Sequence, residues 1–580
     1  MIEESLGLFK GKEKPDHIVA YQFYEKGLAY NDQINLPDTV KNNENFFIGK
    51  QWEGVESNGL PTPQINILKR VTQYVVAVIT SDNIRVNASL MANLPGKSGQ
   101  RNLVQIVNRE IETVFDRNKT PWMVKEYARN AAVDGDGCIY AYFDAKAETG
   151  QPSKGQIVHE IIENTRVFFG NPADRAVQDQ PWVIISQRVP VRNIKLEAKK
   201  NKIKDWNLIR DDDEEDNHVD AAKWTDGNTT LLTIFWRDYK TNHIWAYKYT
   251  QQCSVKEPWD TGLTLYPIVW LNWDYVQDSY HGFGMITPLI PNQVFINKSY
   301  AMSMLTMMKE AGGKVIYDKS RIRQWDNRVG GAIGVPGDPT SAAVMLDSPR
   351  MNPQVAEYIQ LTTEETEKSQ GATAVAMGDS RPDNTSAIVA LTRAAQTPHD
   401  ITKHNIYNSI EDLARIDLEI MAVNYGMRYV DRPITDQERA VLEFAQQADP
   451  SIEIPSEVPE LFDFSVLREH PFTIKLDVGA SSYYSEMAAT KTLENLLMNG
   501  FITPIQFLER VSDDNMPERL ALIEEMKNAQ SMAEQTPMQQ PSSGGAPLIN
   551  DGSPMDITGG AGYAGLQRAI NNEGMTHDVI

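Results

Sequence analysis

The sequence has few cysteines and no long apolar run. Its 580 residues include only two cysteines, Cys138 and Cys253, too few for a disulfide framework, so we expect a reducing compartment. No stretch approaches the roughly 20 consecutive apolar residues that a membrane-spanning helix needs. These two absences exclude a small disulfide-stapled domain and predict no membrane span.

Positive charge is also scarce. The chain carries 56 Lys and Arg against 78 Asp and Glu, a formal net charge of −22. Wrapping nucleic acid tightly requires many cations to neutralise phosphates, so the balance argues against that mode of binding. It is compatible with a surface that repels nearby DNA, or simply with solubility.

Motifs that carry chemistry are incomplete. Gly96-Lys97-Ser98 ends like a phosphate-binding loop, but Met91 stands where the first glycine is required. The stretch 134–137 begins like a calcium loop and lacks the later ligands, which favours a turn. The acidic run 211–216 is either a loose cation site or, as we favour, a solvated loop. No zinc-spaced Cys or His pair and no Gly-x-Ser-x-Gly elbow is present. We therefore expect no enzyme activity, no cofactor and no metal.

The stretch 286–425 has an unusual order of elements. An apolar helix pattern over 286–312 precedes a Gly- and Pro-rich insert over 313–353, a polar helix pattern over 354–377 and a short polar loop over 378–384. A long helix pattern over 385–425 follows, and Pro398 within it predicts a break near residues 397–399. This plan suits a projecting rod better than an enzyme pocket.

The first helix of this stretch carries an apolar stripe at helical spacing. Two interpretations stay open, a core helix or packing against neighbouring copies. The stripe consists of Ile290, Val294, Ala301, Leu305 and Met308, widened by Phe295, Met302 and Met304.

The flanking regions predict an α+β fold. Helix and strand patterns mix through residues 41–285, and Phe472–Val478 alternates as a strand. Helix patterns recur over residues 479–530. The Gln-, Pro-, Ser- and Gly-rich residues 531–580 cannot bury enough apolar surface to fold alone, which predicts a disordered tail.

Three passages, in their order, resemble the portal protein of tailed bacteriophages, the ring through which DNA enters and leaves the capsid. The first is Asn45–Trp52 followed by Asn66-Ile67-Leu68. The second is Tyr280–Gly284 continued through Gln293 and Asn297, in which Met285 stands where many relatives have Ser. The third is Gly378–Ala387 with the kinked helix after it. The resemblance covers about residues 45–528.

The resemblance implies a portal-like architecture: a mixed α/β wing, a long helical stem, a small β-containing clip, a long kinked helix and a helical crown. The implied regions are an N-terminal arm (1–40), the wing (41–285 and 426–478), stem helices (286–312 and 354–377), the clip (313–353), the tunnel loop (378–384), the long kinked helix (385–425), the crown (479–530) and the tail (531–580). It also implies a homo-oligomeric ring, usually a dodecamer, at a virion capsid vertex, assembled in the host cytoplasm. The implied partners are terminase, the major capsid protein, scaffold, a tail adaptor and double-stranded DNA passing through the channel, with no membrane.

Two sets of residues are candidate sites under this resemblance. The tunnel loop is expected to face DNA through Asp379, Arg381, Asp383 and Asn384. The clip is expected to dock terminase or adaptor through Arg321, Arg323, Trp325 and Arg328, since Arg and Trp are common at interface hot spots; binding to adjacent subunits is the alternative. Another virion component, such as a scaffold or head–tail adaptor, is the alternative function, followed by a DNA-processing enzyme.

Overall fold

The structure of the protein is a computed structural model, and it divides into two compact units, residues 1–489 and 490–580. The residues it describes are 17–57, 59–82, 84–91, 100–212, 227–311, 315–325, 333–345, 353–372, 397–434, 440–442, 444, 457–478, 493–499, 501–508, 510, 522–523 and 526. The predicted tunnel loop 378–384 and the predicted disordered tail 531–580 lie outside these ranges.

Helices and strands are mixed along the chain, which confirms an α+β class. The helices are α1 (His17–Gln33), α2 (Leu36–Ile48), α3 (Ile67–Ile79), α4 (Gln100–Arg117), α5 (Thr120–Asp134), α6 (Val191–Lys200), α7 (Ile290–Ala311), α8 (Gln354–Ser369), α9 (Asp400–Asn424) and α10 (Pro504–Leu508). The strands are β1 (Ile84–Leu90), β2 (Asp136–Asp144), β3 (Gln156–Ile162), β4 (Val167–Phe169), β5 (Trp182–Pro190), β6 (Asn228–Arg237), β7 (Ile244–Tyr249), β8 (Ser254–Asp260), β9 (Ile268–Asn272), β10 (Val315–Tyr317), β11 (Ala343–Met345), β12 (Met427–Pro433), β13 (Glu457–Asp463) and β14 (Phe472–Val478).

The largest sheet is an antiparallel meander in the order β4-β5-β6-β7-β8. Its strands are apolar on both faces, because both faces are covered. On one face, Phe23 and Tyr24 of α1 pack among strand residues such as Phe168. On the other face, Val183 and its neighbours join Cys138 and residues of the second sheet. The sheet is therefore the middle layer of this part of the molecule.

The second sheet has the order β3-β2-β9 and packs on a helical core. Helix α9 buries an apolar stripe from Ile406 to Ile420 in this core, together with residues of α3, α4 and α5. Strand β14 returns to pair with β1, with Phe472 opposite Leu90 and Ile474 opposite Ala88. Segments that are distant in the sequence thus pack into one compact unit.

Several helix ends follow their local sequence chemistry. The side chain of Asn66 caps α3 by accepting a hydrogen bond from Lys69 N at 2.9 Å. Gly49 ends α2 in the left-handed conformation with φ of 98°. A 3₁₀ turn at Thr397–His399 precedes α9, which begins at Asp400, as expected where a proline cannot complete an α-helical hydrogen bond. The first part of the predicted long helix, 385–396, lies outside the described residues.

Other expectations need correction. The polar helix predicted over 354–377 ends at Ser369, and Gly371 adopts a φ of 65° that stops a helix. Strand β8, which the sequence analysis did not include, contains Pro258; it is an edge of its sheet, where proline is tolerated. Residue 40, the predicted end of the arm, lies within α2.

Candidate assembly and docking sites

Two of the motif passages meet at the beginning of α7. Gln293 Nε2 donates to Ile65 O at 2.6 Å and to Asn297 Oδ1 at 2.9 Å, and its Oε1 accepts from Ile67 N at 3.0 Å. Asn297 Nδ2 donates to Gln51 Oε1 at 2.6 Å. Gln293, Asn297 and Gln51 are all buried, and buried amides are stable only when hydrogen-bonded. These motif residues therefore fix the start of α7 to the α2–α3 region.

The segment before α7 is held by a buried carboxylate. Asp136 Oδ1 accepts from Gly282 N at 2.6 Å and from Asn272 Nδ2 at 2.7 Å. Its Oδ2 lies 2.7 Å from His281 Nδ1 and 3.4 Å from Asn164 Nδ2. Asp136 and His281 are buried. The stretch predicted as a turn or calcium loop thus supplies a carboxylate whose oxygens are occupied by protein donors.

Backbone contacts at this point leave no room for side chains. A Cβ on Gly284 would lie 2.7 Å from Val133 O, and one on Gly282 would lie 2.8 Å from Asp274 O. Both distances are shorter than carbon and oxygen tolerate. The chain leading into α7 therefore passes against the end of α5 at glycine-only distance.

A second carboxylate in this region is unfavourably placed. Burial raises the pKa of Asp134, the nearby Glu44 raises it further against the opposing effect of Arg129, and the result is about 8. Asp134 Oδ1 is buried and has no hydrogen-bond partner. Arg129 Nη1 and Nη2 donate to Glu44 Oε1 and Oε2 at 2.5 Å and 2.6 Å. Asp134 is consequently a titratable group at neutral pH beside the Asp136 anchor.

A further buried pair joins β3 to α9. His159 Nε2 lies 2.9 Å and 3.0 Å from the two carboxylate oxygens of Asp417, and both side chains are inaccessible to solvent. Sequence reasoning missed this pair. A signal was present, since Asp417 occupies a position of the apolar stripe between Leu413 and Ile420. A charge at a stripe position indicates a buried partner.

The four predicted tunnel-loop residues, Asp379, Arg381, Asp383 and Asn384, lie outside the described residues. The nearest described residues on either side are Ala372 and Thr397. His399 Nε2 donates to Gln370 O at 2.9 Å, so the chain leaves α8 and returns to α9 at one place. Gln370 and His399, which lie on the two sides of the segment outside the described residues, are thus in direct contact.

Three of the four predicted docking residues are described, and Arg328 is not. Trp325 stacks on Tyr317 with ring centroids 5.5 Å apart. Arg321 donates to Ser341 Oγ at 2.8 Å and lies 3.5 Å from Asp318 Oδ2. Arg323 is exposed. Arg321 and Trp325 therefore both lie against the β10–β11 ribbon, and Arg321 is already engaged by Ser341 and Asp318 there.

Helices α7 and α8 form an antiparallel pair. They pack against each other, and Asn292 Nδ2 at the start of α7 donates to Thr366 Oγ1 near the end of α8 at 3.0 Å. Strands β10 and β11 pair with each other between the other ends of the two helices. The result is a helical hairpin that carries a small antiparallel ribbon.

Helix α7 exposes apolar side chains on two opposite faces. At about 100° per residue, Phe295 and Met302 share one face, and Met304, Met307 and Met308 lie within about 60° of the opposite side. These five are between 38% and 64% exposed. Polar residues, Gln293 and Asn297, fill the buried side of the first turns. The predicted stripe is therefore divided: Ile290 and Val294 pack on a buried cluster and Ala301 is buried, whereas Met308 has no cover from the described residues.

No protein-family model matches this chain, and no curated protein matches it. Within the described ranges, no helix combines the length and apolar character needed to cross a bilayer. The same ranges contain no group of three or more His, Cys, Asp or Glu side chains arranged to hold a metal ion.

Proposed function

We propose that this chain is the portal protein of a tailed bacteriophage, a subunit of the ring through which DNA is packaged into and ejected from the capsid. The observation that carries the proposal is the exposure of apolar side chains on two opposite faces of α7. A head-to-tail ring needs two different contact surfaces on each subunit, one for each neighbour.

The energetic argument concerns the methionine face. Met304, Met307 and Met308 continue the side of α7 that its first turns bury. Burying a methionine side chain contributes about 1.5–3 kcal/mol, so three that stay in water forgo a substantial stabilisation. A neighbouring subunit that covers these methionine side chains recovers this stabilisation. An isolated α7–α8 hairpin leaves them in water and does not recover it.

The helical hairpin and its ribbon fit the stem and clip of such a ring. Helix α7 has 22 residues and a length of about 33 Å. Its residues Ile296, Asn297 and Ala301 are buried, whereas Met302, Met304, Met307 and Met308 beyond them are exposed. On this proposal, the β10–β11 ribbon is the clip, and Arg323 and Trp325 belong to the surface that docks terminase and later the tail adaptor.

We assign the tunnel loop to residues 378–384, which lie between α8 and α9 in the sequence, and the contact of His399 with Gln370 supports this by bringing together the described residues on its two sides. One Arg381 per subunit then gives a ring of positive charge flanked by Asp379 and Asp383. Each contact with a phosphate strengthens salt-dependent binding, and the adjacent carboxylates keep it weak enough for DNA to slide. Normal DNA packaging by an Arg381→Ala variant with intact rings would reduce Arg381 to a brace within the loop.

The decisive experiment measures mass and shape together. Light scattering and negative-stain images of the purified chain are expected to show a closed ring with a central channel. The variant M304S/M307S/M308S should shift the protein towards monomers, whereas the control Tyr239→Ser, which changes an exposed apolar residue on the β6–β7 turn, should not. A wild-type chain that stays monomeric at every concentration and salt would remove the proposal.

Docking is tested on assembled rings. The variant R323A/W325A is expected to form normal rings that no longer bind terminase, because Arg and Trp side chains dominate the binding energy of many interfaces. Loss of the rings themselves would instead assign these residues to contacts between adjacent clips.

A further inference from the structure

Helix α8 exposes an apolar pair on a side that does not face α7. Tyr358 is 61% exposed and Leu361 is 50% exposed, whereas Ile359 and Thr366 are buried. At about 100° per residue, the buried residues lie at least about 80° around the helix from the exposed pair. Thr366 contacts Asn292 of α7, so the buried side is the one that packs on the rest of the hairpin. We call the side of Tyr358 and Leu361 the outer face of α8.

The outer face of α8 is also acidic. Three carboxylates lie within about 60° of Leu361 around the helix, and they are Glu357, Glu364 and Glu365. Lys368, the one cation of α8, lies 3.7 Å from Glu364 Oε2 and 3.6 Å from Glu365 Oε1. Glu357 is exposed and has no ion pair within the described residues. Three carboxylates and one ammonium group leave this face with an excess of negative charge.

Helix α7 carries a matching face with cations. Phe295 is 46% exposed and Met302 is 57% exposed. Lys298 and Lys309 are exposed as well, and they lie within about 60° of both apolar residues around the helix. Glu310, the one carboxylate in the sequence of α7, is about 80° away from Met302 around the helix. We call the side that Lys298 shares with Phe295 and Met302 the basic face of α7.

Lys298 is level with the acidic residues of α8. The hydrogen bond between Asn292 Nδ2 and Thr366 Oγ1, 3.0 Å long, sets residue 292 beside residue 366. The two helices run in opposite directions and rise about 1.5 Å per residue, so residue 298 is level with residue 360. Lys298, which has no ion pair among the residues that the structure describes, therefore lies at a height between those of Glu357 and Glu364.

The apolar residues of the two faces are level with each other in the same way. Residue 302 is level with residue 356, which puts Met302 within about 3 Å of the height of Tyr358. Residue 295 is level with residue 363, which puts Phe295 within about 3 Å of the height of Leu361. The two faces thus agree in height and in apolar content, and they are opposite in charge.

The two faces cannot meet within one copy, because the outer face of α8 does not face its own α7. Every copy carries both faces, and a rotation about an axis parallel to the hairpin moves a copy sideways without changing its height. We propose that the outer face of α8 packs on the basic face of α7 in the next copy of this chain. Lys298 then lies between Glu357 of the partner subunit and Glu364 of the partner subunit. The inference rests on the proposed function for a ring axis parallel to the hairpin, and it names the surface that each neighbour contributes.

Cysteine cross-linking tests the contact directly, because the two native cysteines, Cys138 and Cys253, are buried. Mild oxidation of the assembled variant M302C/Y358C should join successive copies and give a ladder of covalent multimers on a non-reducing gel. The control variant M302C/Y239C replaces Tyr239, an exposed side chain on the β6–β7 turn, instead of Tyr358. It should run as a monomer on the same gel.

Charge reversal tests the ion pair. Lys298→Glu and Glu357→Lys should each require about tenfold more protein for half-assembly, because like charges then face each other. The combined variant K298E/E357K should assemble as readily as the wild type, because it restores opposite charges across every contact. The control Lys240→Glu makes the same change in net charge as Lys298→Glu at an exposed lysine on the β6–β7 turn and should assemble normally.

The outcomes separate this inference from the proposed function. A wild-type chain that mass photometry shows to be monomeric would overturn the ring and the contact together. Rings in which M302C/Y358C cross-links no better than its control would overturn the contact and leave the ring. A ladder that stops at dimers would show a two-fold pair, which overturns both. Single charge variants that assemble like Lys240→Glu, or that K298E/E357K does not restore, would also overturn the contact.

Discussion

The buried carboxylate of Asp136 gives the most demanding test of how α7 is positioned. Replacing Asp136 with Ala removes the acceptor for Gly282 N and Asn272 Nδ2 and leaves His281 without its carboxylate. These donors lie in an interior that water does not reach, since Asp136 is 1% exposed and His281 is 3% exposed. We expect the segment that leads into α7 to lose its anchor.

The magnitude follows from the hydrogen bonds that the substitution removes. A hydrogen bond to a charged group contributes about 1.5–3 kcal/mol, and removing one partner of a buried pair costs about 3–5 kcal/mol in all. The variant Asp136→Ala should therefore reduce stability by about 3–5 kcal/mol. Asp32→Ala, at an exposed position of α1, should change it by less than about 0.5 kcal/mol.

Hydrogen exchange is the appropriate assay, because a chain of 580 residues is not expected to unfold in a single step. Peptides that cover residues 279–290 should lose protection in Asp136→Ala and keep it in Asp32→Ala, while peptides from β6 and β7 should change little. Unchanged exchange over residues 279–290 would refute the reasoning. The segment that leads into α7 would then be held by the close packing of its glycines alone.

Three further outcomes are expected. The folded-state pKa of Asp134, about 8, exceeds its unfolded value of 3.8, so the folded state holds a proton that the unfolded state releases, and stability falls as pH rises between these values. Asp134→Asn should accordingly raise the thermal midpoint more at pH 9 than at pH 4; equal shifts would contradict it. Gly284→Ala should destabilise by about 1–3 kcal/mol in denaturant titrations, because its Cβ meets Val133 O. Asp417→Ala should cost about 3–5 kcal/mol by leaving the buried His159 Nε2 without its carboxylate, since Thr120 Oγ1 lies against Nδ1, and an undisturbed melting curve would show that Nε2 finds another partner.

Features determined by neighbouring residues were predictable from the sequence. The start of α3 depends on the capping side chain of Asn66. The 3₁₀ turn at Pro398 depends on the missing N–H of proline, and the strand Phe472–Val478 depends on a two-residue alternation. The partner of that last strand was not predictable in the same way. Its pairing with Ile84–Leu90 joins segments that no local pattern relates.

The sequence pattern could not predict which part of the stripe on α7 is exposed. Periodicity identifies which side chains share a face, but it does not say which face the rest of the chain covers. In this helix the body covers the face of Gln293 and Asn297, because amides there bind the backbone of residues 65 and 67. The methionines further along are left open, and the sequence alone was consistent with either a core or an interface.

The buried His–Asp pairs also could not be predicted from sequence pattern, and they are the site residues that the sequence analysis missed. Asp136 and His281 are 145 positions apart, and His159 and Asp417 are 258 apart. Each residue alone resembles an ordinary surface group, and only the fold brings the partners together. Both pairs join elements that are distant in sequence: one holds the approach to α7 against β2, and the other holds α9 against β3. Because removing one partner of a buried pair is costly, these pairs penalise misplacement of α7 and α9 in addition to their apolar packing. The proposed ring, with its central channel, would require such fixed placement of its helices.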